Sequence, residues 1–392
     1  MIQEAVLSRE VVCYRGRHAV PLLDVIRAAT WLMYKSRHII MTSATYNAVV
    51  RARSFWRALD FARPDGQDLL DILSRTREFR AFEPRDRIYG VLGLYRRRDI
   101  LQPLPKLIAP DYGEPLDSVV RDAASFVIDE QHGLGILREV SHQDRMLSAG
   151  GPPTWVPRWD RPTDKWDPVP LPLRFNCLVV SDDCQRIAIT NVRSIRPELL
   201  VARGWIVDTI SHTFPTFDWD TDWTAVKKRL RDIEVACVTD GLCSYNALAM
   251  TLTTATDHQG LAMSAATASK GYAALRALPK QRSVKLLGAT MTWGSLPEEG
   301  PALEYYMALG NACCHRRVML TASGRSVVGP KVAERRDLVA VLWGCKWPVI
   351  LRPRSRSSEY MCIGVAYVHG IMNGELQMAD IPTEAVRDIR IS

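Results

Sequence analysis

Three groups of residues carry side chains that could do chemistry. Cys313, Cys314 and His315 are consecutive, and a thiol beside an imidazole is what a nucleophile or a metal ligand set begins with. His142 stands close to Asp144, and His369 close to Glu375, so each pair offers half of an acid–base couple. Against these stand plainer readings: a buried thiol pair ending an apolar helix, and histidines satisfied inside the fold. We favour the plainer readings, because a general base must be placed by the fold and spacing alone does not place it.

The nine cysteines fall at 13, 177, 184, 237, 243, 313, 314, 345 and 362. No two are in Cys-x-x-Cys spacing, and no histidine pair at zinc-finger spacing accompanies Cys177 and Cys184 or Cys237 and Cys243. They read as reduced, mostly buried thiols of an intracellular protein, with no metal site. The chain lacks a phosphate-binding Gly-x-x-x-x-Gly-Lys-Ser/Thr loop, a Gly-x-Ser-x-Gly elbow, His-Glu-x-x-His and an EF-hand loop. Gly133-Leu134-Gly135 is too short for a dinucleotide fingerprint. No catalytic, cofactor-binding or metal residue is therefore assigned from motifs, and no cofactor is expected.

Charge gives a second chemical hint. The net charge is +8, and of 51 basic residues 10 are Lys and 41 are Arg. Guanidinium forks grip phosphate in pairs, but these arginines are dispersed and the densest runs, Arg96–Arg98 and Arg352–Arg356, are short. Trp155, Trp159 and Trp166 beside Arg158 and Arg161 could stack bases. Aromatic anchors pinning an extended segment to a core are the commoner use. Nucleic acid is accordingly disfavoured as a partner. With 392 residues, 47% of them hydrophobic, the chain is long enough for a large core, which excludes a hormone, a disulfide miniprotein, a collagen or a disordered tail. Met1–Leu7 carries an acid where a signal peptide is basic, and the least charged tract, 247–278, is broken by charged residues. A soluble cytoplasmic protein, off the membrane, is expected.

The elements that must position these groups read as an α+β chain: a helical N-terminal part, a mixed middle and a small antiparallel β unit at the C-terminus. Apolar residues at helical spacing predict helices over 20–34, after Asp65-Gly66, and over 116–127, where Leu116, Val119, Val120, Ala123, Ala124 and Val127 form one stripe. Pro84-Arg85-Asp86 predicts a capped short helix ended by Gly93. Prolines from Pro152 to Pro172 stop helix and mark a boundary. Beyond it, 177–189 and 199–210 read as strands, 223–235, 245–278 and 301–314 as helices. From about Arg317 the period is two, with strands at 338–342, 349–351 and 360–365, and Asn373-Gly374 predicts a two-residue hairpin turn.

Several segments taken in order resemble the fungal heterokaryon incompatibility (HET domain) proteins. These are Ile2-Gln3-Glu4-Ala5-Val6-Leu7, the stretch Pro84-Arg85-Asp86-Arg87-Ile88-Tyr89-Gly90, Pro110-Asp111-Tyr112, Trp155-Val156-Pro157-Arg158-Trp159, and the tail Val365 to Glu375. In that family the Ile-Gln-Glu element lies near the end of the HET domain, so the resemblance implies that residues 1–15 are the remnant of a truncated HET domain and Met1 an internal methionine of the family pattern. The remainder divides into a helical region 16–148, a mixed region 149–316 with a Pro/Trp-rich entry, and a β-rich region 317–392. A departure is Arg336 before Asp337, where the family tends to have glycine. HET domains are distantly similar to TIR-type domains, some of which cleave NAD with a glutamate; Glu4 is the one residue matching such a position. Without a water-excluding pocket around it, no such activity is expected.

The resemblance thus implies a non-enzymatic protein linked to non-self recognition and incompatibility cell death, regulatory or binding an unknown protein partner. Two alternatives are a hydrolase or nucleotide-cleaving enzyme assembled from Glu4, His142, His369 or Cys314, and an arginine-based nucleic-acid binder.

Overall fold

The computed structural model of the chain describes residues 4–5, 8, 10–35, 68–77, 79–96, 103–142, 147, 152–161, 171, 175–178, 198–217, 223–239, 241–278, 284–286, 289–291, 300–355, 357–376 and 381–392. Asp65, Gly66, Asp144, Trp166 and Cys184 lie outside them. The chain divides into two compact units: Met1–Gln131 with Arg158–Lys165, and His132–Pro157 with Trp166–Ser392.

The first unit is mainly helical. A hairpin, β1 (Val12–Arg15) with β2 (His18–Pro21), leads into α1 (Leu22–Lys35). There follow α2 (Leu69–Thr76), α3 (Asp86–Tyr89), α4 (Leu92–Arg96) and α5 (Leu116–Gln131). The apolar stripe expected on α5 is its buried face, with Ile128 added. The far end of α5 finishes α2: Asp68 caps α2 by accepting from the Asp71 N–H at 2.8 Å, Gln131 donates to the other Asp68 oxygen at 2.8 Å, and Glu130 accepts from the Leu69 N–H at 3.0 Å. Carboxylates at a helix N-terminus meet both its unpaired N–H groups and its dipole. The single short helix expected around residues 86–92 is two helices instead. Arg85, which makes no side-chain cap, precedes α3; Gly90 ends it and Gly93 lies within α4.

The second unit holds β3 (Asn176–Leu178), β4 (Leu200–Thr213), α6 (Trp223–Glu234), α7 (Tyr245–Leu252) and α8 (Ala265–Ala277). Next come the small hairpin β5 (Val284–Leu286) and β6 (Ala289–Met291), then α9 (Pro301–Cys313). The chain ends in β7 (Arg316–Thr321), β8 (Ser326–Pro330), β9 (Leu338–Leu342), β10 (Val349–Pro353), β11 (Glu359–Val365), β12 (Tyr367–Val368), β13 (Asn373–Leu376) and β14 (Arg387–Ile391). The α+β class read from the sequence is the class observed, with two refinements. The C-terminal strands are completed by β4 from the middle of the chain, and one of their pairings, β11 with β14, is parallel.

Strand β4 has three partners along its length. Leu200–Gly204 pairs with β14, Gly204–Thr209 with β9 and Ile210–Thr213 with β7. Register shifts between Ile206 and Asp208 and between Ile210 and His212 bend it from one partner to the next. The pairing of β4 with β9 closes the sheet: β4, β14, β11, β10 and β9 form a ring, and β7, β8 and β12 extend it. At Gly204 an added Cβ would lie 2.3 Å from the Val341 carbonyl oxygen, so only glycine admits β9 beside β14 at this crossing. Trp205, Ile210, Met319, Val339, Ile350 and Ile363 belong to one buried cluster within the barrel. Helices α7, α8 and α9 pack together outside it, α7 against β8 and α9 against β7.

Asn373-Gly374 does not turn a hairpin. Both residues lie in β13, which runs parallel to β3, and of the two only Gly374 has positive φ, at 78°. A type I′ turn needs positive φ at both positions.

Candidate functional site

The described residues concentrate exposed charge at one end of the barrel. Three segments meet there: the β8–β9 turn, the β10–β11 loop and the end of β14. Register fixes their proximity, because Leu351 pairs with Leu338, Pro353 with Tyr360, and Tyr360 with Ile391. Arg335, Arg336, Arg354, Arg387 and Arg390 are all exposed.

Beneath these arginines lies a buried carboxylate. Asp337 accepts from Arg352 through both oxygens, Nε at 2.8 Å and an Nη at 2.9 Å, and Arg352 also donates to the Val332 carbonyl at 2.8 Å. The forked bonds to Asp337 push the Arg352 pKa above its ordinary value despite burial. Asp337 takes the Glu334 N–H at 2.7 Å as well, which tightens the turn. The turn is fastened to β4 by Arg336 N–H donating to the Ile210 carbonyl and Ile210 N–H donating to the Asp337 carbonyl, each at 2.8 Å. Arg354 N–H donates to Glu359 at 3.0 Å, and Arg387 donates to the Tyr360 hydroxyl at 3.0 Å. The turn is thus fixed beneath the exposed Arg335 and Arg336, while the Arg354 guanidinium donates to the Ser392 carbonyl at 3.3 Å; exposed guanidinium groups suit carboxylates or phosphates.

The residues singled out for catalysis occupy other places. Glu4 is exposed in the first unit, its carbonyl accepting from Ser8. In the second unit, His142 is buried with Nε2 2.9 Å from the Thr154 carbonyl. His369 is near the Tyr367 hydroxyl, Nδ1 at 3.3 Å; burial lowers its pKa and the Glu375 charge opposes that. Glu375 itself accepts from the Asn373 N–H at 2.5 Å. Cys313 is buried with its thiol donating to the Leu252 carbonyl at 3.1 Å, and burial raises its pKa to about 12. Cys314 follows α9 and is partly exposed, while His315 is buried at φ 56°. Cys313 thus matches the plainer reading of a buried thiol ending an apolar helix. No described helix is long and apolar enough to cross a membrane, and no three His, Cys, Asp or Glu side chains among the described residues are grouped to hold a metal.

The segments that carried the resemblance have structural work within each unit. In the first, Tyr112 donates to Asp86 at 2.6 Å, Tyr89 to the Asp111 carbonyl at 3.1 Å, and the two rings meet edge-on at 5.3 Å. In the second, Thr154 donates to Ser392 at 2.5 Å and accepts from the Cys362 N–H at 2.8 Å, joining the segment before Trp155 to β11 and the chain end.

A family model matches residues 271–384, from within α8 to just before β14. The family is described as the Het-6 beta-barrel domain, and this region is similar to it. The match covers less than a third of the chain and supports the heterokaryon-incompatibility resemblance read from the sequence. No curated protein and no solved structure matches it. Two strands that close the barrel, β4 and β14, lie outside the matched segment. The Arg352–Arg356 run and the Arg336 departure were noted from the sequence, but not that Arg352, Arg354 and Arg336 share one barrel end, because strand register brings them there.

Proposed function

We propose that this protein is a regulatory, partner-binding component of fungal heterokaryon incompatibility, acting in the cytoplasm without catalysis. Its recognition surface is the arginine-rich end of the Het-6 barrel, and the partner presents an acidic segment. The observation that carries this reading is an arginine platform: a turn locked by Asp337 and Arg352 beneath the exposed Arg335 and Arg336, beside Arg354. The barrel's packed apolar cluster gives a rigid body for that platform and directs recognition to the outside. Incompatibility cell death would follow from what the partner does once bound.

The test is genetic and uses the full chain. Deleting the gene should let heterokaryons survive with at least one tester strain that otherwise rejects them. Reversing charge at Arg335, Arg336 and Arg354 together, to Glu, should reproduce the deletion while the purified variant keeps its melting temperature. Unchanged compatibility with every tester on deletion overturns the functional reading; a charge-reversed protein that acts like wild type overturns the surface. Nicotinamide release from NAD by the purified chain, abolished by Glu4→Gln, would reinstate the enzymatic alternative.

The same arginines favour one second reading, phosphate binding on a nucleic acid. Affinity for a mixed-sequence duplex that rises steeply as salt is lowered, and is lost in the charge-reversed variant, would select it over an acidic protein partner.

A further inference from the structure

Cys237 and Cys243 were separate thiols in a spacing with no metal partner, yet the fold brings them together. Helix α6 runs into a wide turn, Val235–Thr239, and the chain returns so that Cys243 N–H donates to the Cys237 carbonyl at 2.7 Å. That backbone bond sets the two residues side by side, and the Cys237 thiol acts on the Cys243 sulfur as a hydrogen-bond partner. Cys237 is fully buried and Cys243 is partly exposed. Cys243 also immediately precedes Ser244, whose side chain caps α7 by accepting from the Ala247 N–H. The positive end of a helix favours a thiolate beside it. Cys243 differs from the deeply buried Cys313, Cys345 and Cys362, whose pKa values burial raises.

We propose that Cys237 and Cys243 form a reversible redox site, oxidised by a hydroperoxide to an intramolecular disulfide. Cys243 is the attacking residue and Cys237 the resolving one. The Cys243 thiolate attacks a peroxide oxygen; the S–O bond forms, the O–O bond breaks, and hydroxide leaves and takes a proton to become water. Cys237 then attacks the Cys243 sulfenic acid; the S–S bond forms, the S–O bond breaks, and the second oxygen leaves as water with the Cys237 proton. Two thiols are oxidised by two electrons and one peroxide is reduced. The hydrogen bond from Cys237 holds the Cys243 pKa below its ordinary value, so the attacking group is the one poised as thiolate.

The linkage would tie the exit of α6 to the entry of α7. Tyr272 of α8 is near enough to both thiols for their charges to act on it; its ring meets that of Tyr245 at 5.2 Å, and its hydroxyl donates to Glu234 at 3.1 Å. Closing the disulfide therefore stiffens the helical layer that packs on β7 and β8.

The full reduced chain should be treated with equimolar hydrogen peroxide; one portion is then unfolded in guanidinium with N-ethylmaleimide and digested with trypsin, and a second is alkylated while folded. Residues 232–270 form one tryptic peptide whose only cysteines are 237 and 243. The expected result is that this peptide loses two hydrogens and both alkylation sites, about tenfold faster than Cys13 is oxidised, and that dithiothreitol restores both. Cys237→Ser should trap Cys243 as a dimedone-reactive sulfenic acid, and Cys243→Ser should leave Cys237 unmodified. Retention of alkylation at both sites, or a disulfide to any other cysteine, overturns the proposal. So does sulfenic acid on Cys237 in the Cys243→Ser variant. Continued protection of Cys313 from alkylation in each variant shows that the fold is intact.

Discussion

Arg87 in the helical unit and Arg352 in the barrel each pin a turn, and they are held in opposite ways. Arg87 spends its guanidinium on backbone: Nε donates to the Trp159 carbonyl at 2.7 Å, and the two terminal nitrogens donate to Phe79 and Arg77. Burial, with Arg77 nearby, pushes its pKa down to about 10. Arg352 spends its guanidinium mainly on the Asp337 carboxylate, and its pKa moves up. Carbonyl dipoles let one side chain fix three points of the chain at once, but they leave its charge opposed only by the Asp160 carboxylate, to which it is not bonded. A carboxylate neutralises the charge and fixes one point firmly. The helical unit uses an arginine to define backbone shape; the barrel uses one to lock a turn under a charged surface.

That contrast sets the size of the losses. Arg87→Met should cost about 3 kcal/mol, because three carbonyls lose a charged donor and those that water cannot reach stay unpaired. Denaturant unfolding should show the loss, and hydrogen exchange should place it in residues 69–96 with the barrel unchanged. Arg87→Lys should recover little, since an ammonium lacks the planar fork that spans three acceptors. Uniform loosening of both units would contradict the view that Arg87 shapes only its own.

Why Arg87 escaped the sequence reading is a physical matter. Its acceptors are carbonyl oxygens, which every residue has, so no side-chain type marks the partners. The α5 stripe was legible because periodicity is local, and the strands read at 338–342, 349–351 and 360–365 were legible for the same reason, each within a residue or two of the observed ends. The barrel's closure was not, since β4 pairs with strands well over a hundred residues away. The arginine platform shares that fate: Arg336 and Arg354 come to one barrel end only through strand register. Asn373-Gly374 misled because Gly374 uses its positive φ inside a parallel pairing instead of a turn.

Asp337→Asn should cost about 2 kcal/mol, less than the loss of Arg87. Asparagine keeps one acceptor, enough for the Glu334 N–H and one Arg352 nitrogen, and gives up the charge and the second acceptor. The Arg352 side chain, 19% exposed, can turn toward water where a fully enclosed charge could not. Thermal unfolding of the purified chain measures the difference, and a larger loss for Asp337→Asn than for Arg87→Met would invert the comparison.

Arg336 tests the barrel turn from the other direction. It sits at φ 76°, the left-handed region where a Cβ crowds its own backbone, and its N–H is already committed to Ile210. Arg336→Gly removes the crowding, worth about 1–2 kcal/mol for a non-glycine residue. Glycine also gives the unfolded chain more freedom, which returns about 0.4–1 kcal/mol. The balance is a gain of roughly 0.5–1 kcal/mol, read as a rise in melting temperature. If stability falls instead, the exposed Arg336 side chain is itself bracing the turn. If stability rises while partner binding is lost, the barrel has given up stability to keep a guanidinium at this position, which is what a recognition surface requires and a purely structural turn does not.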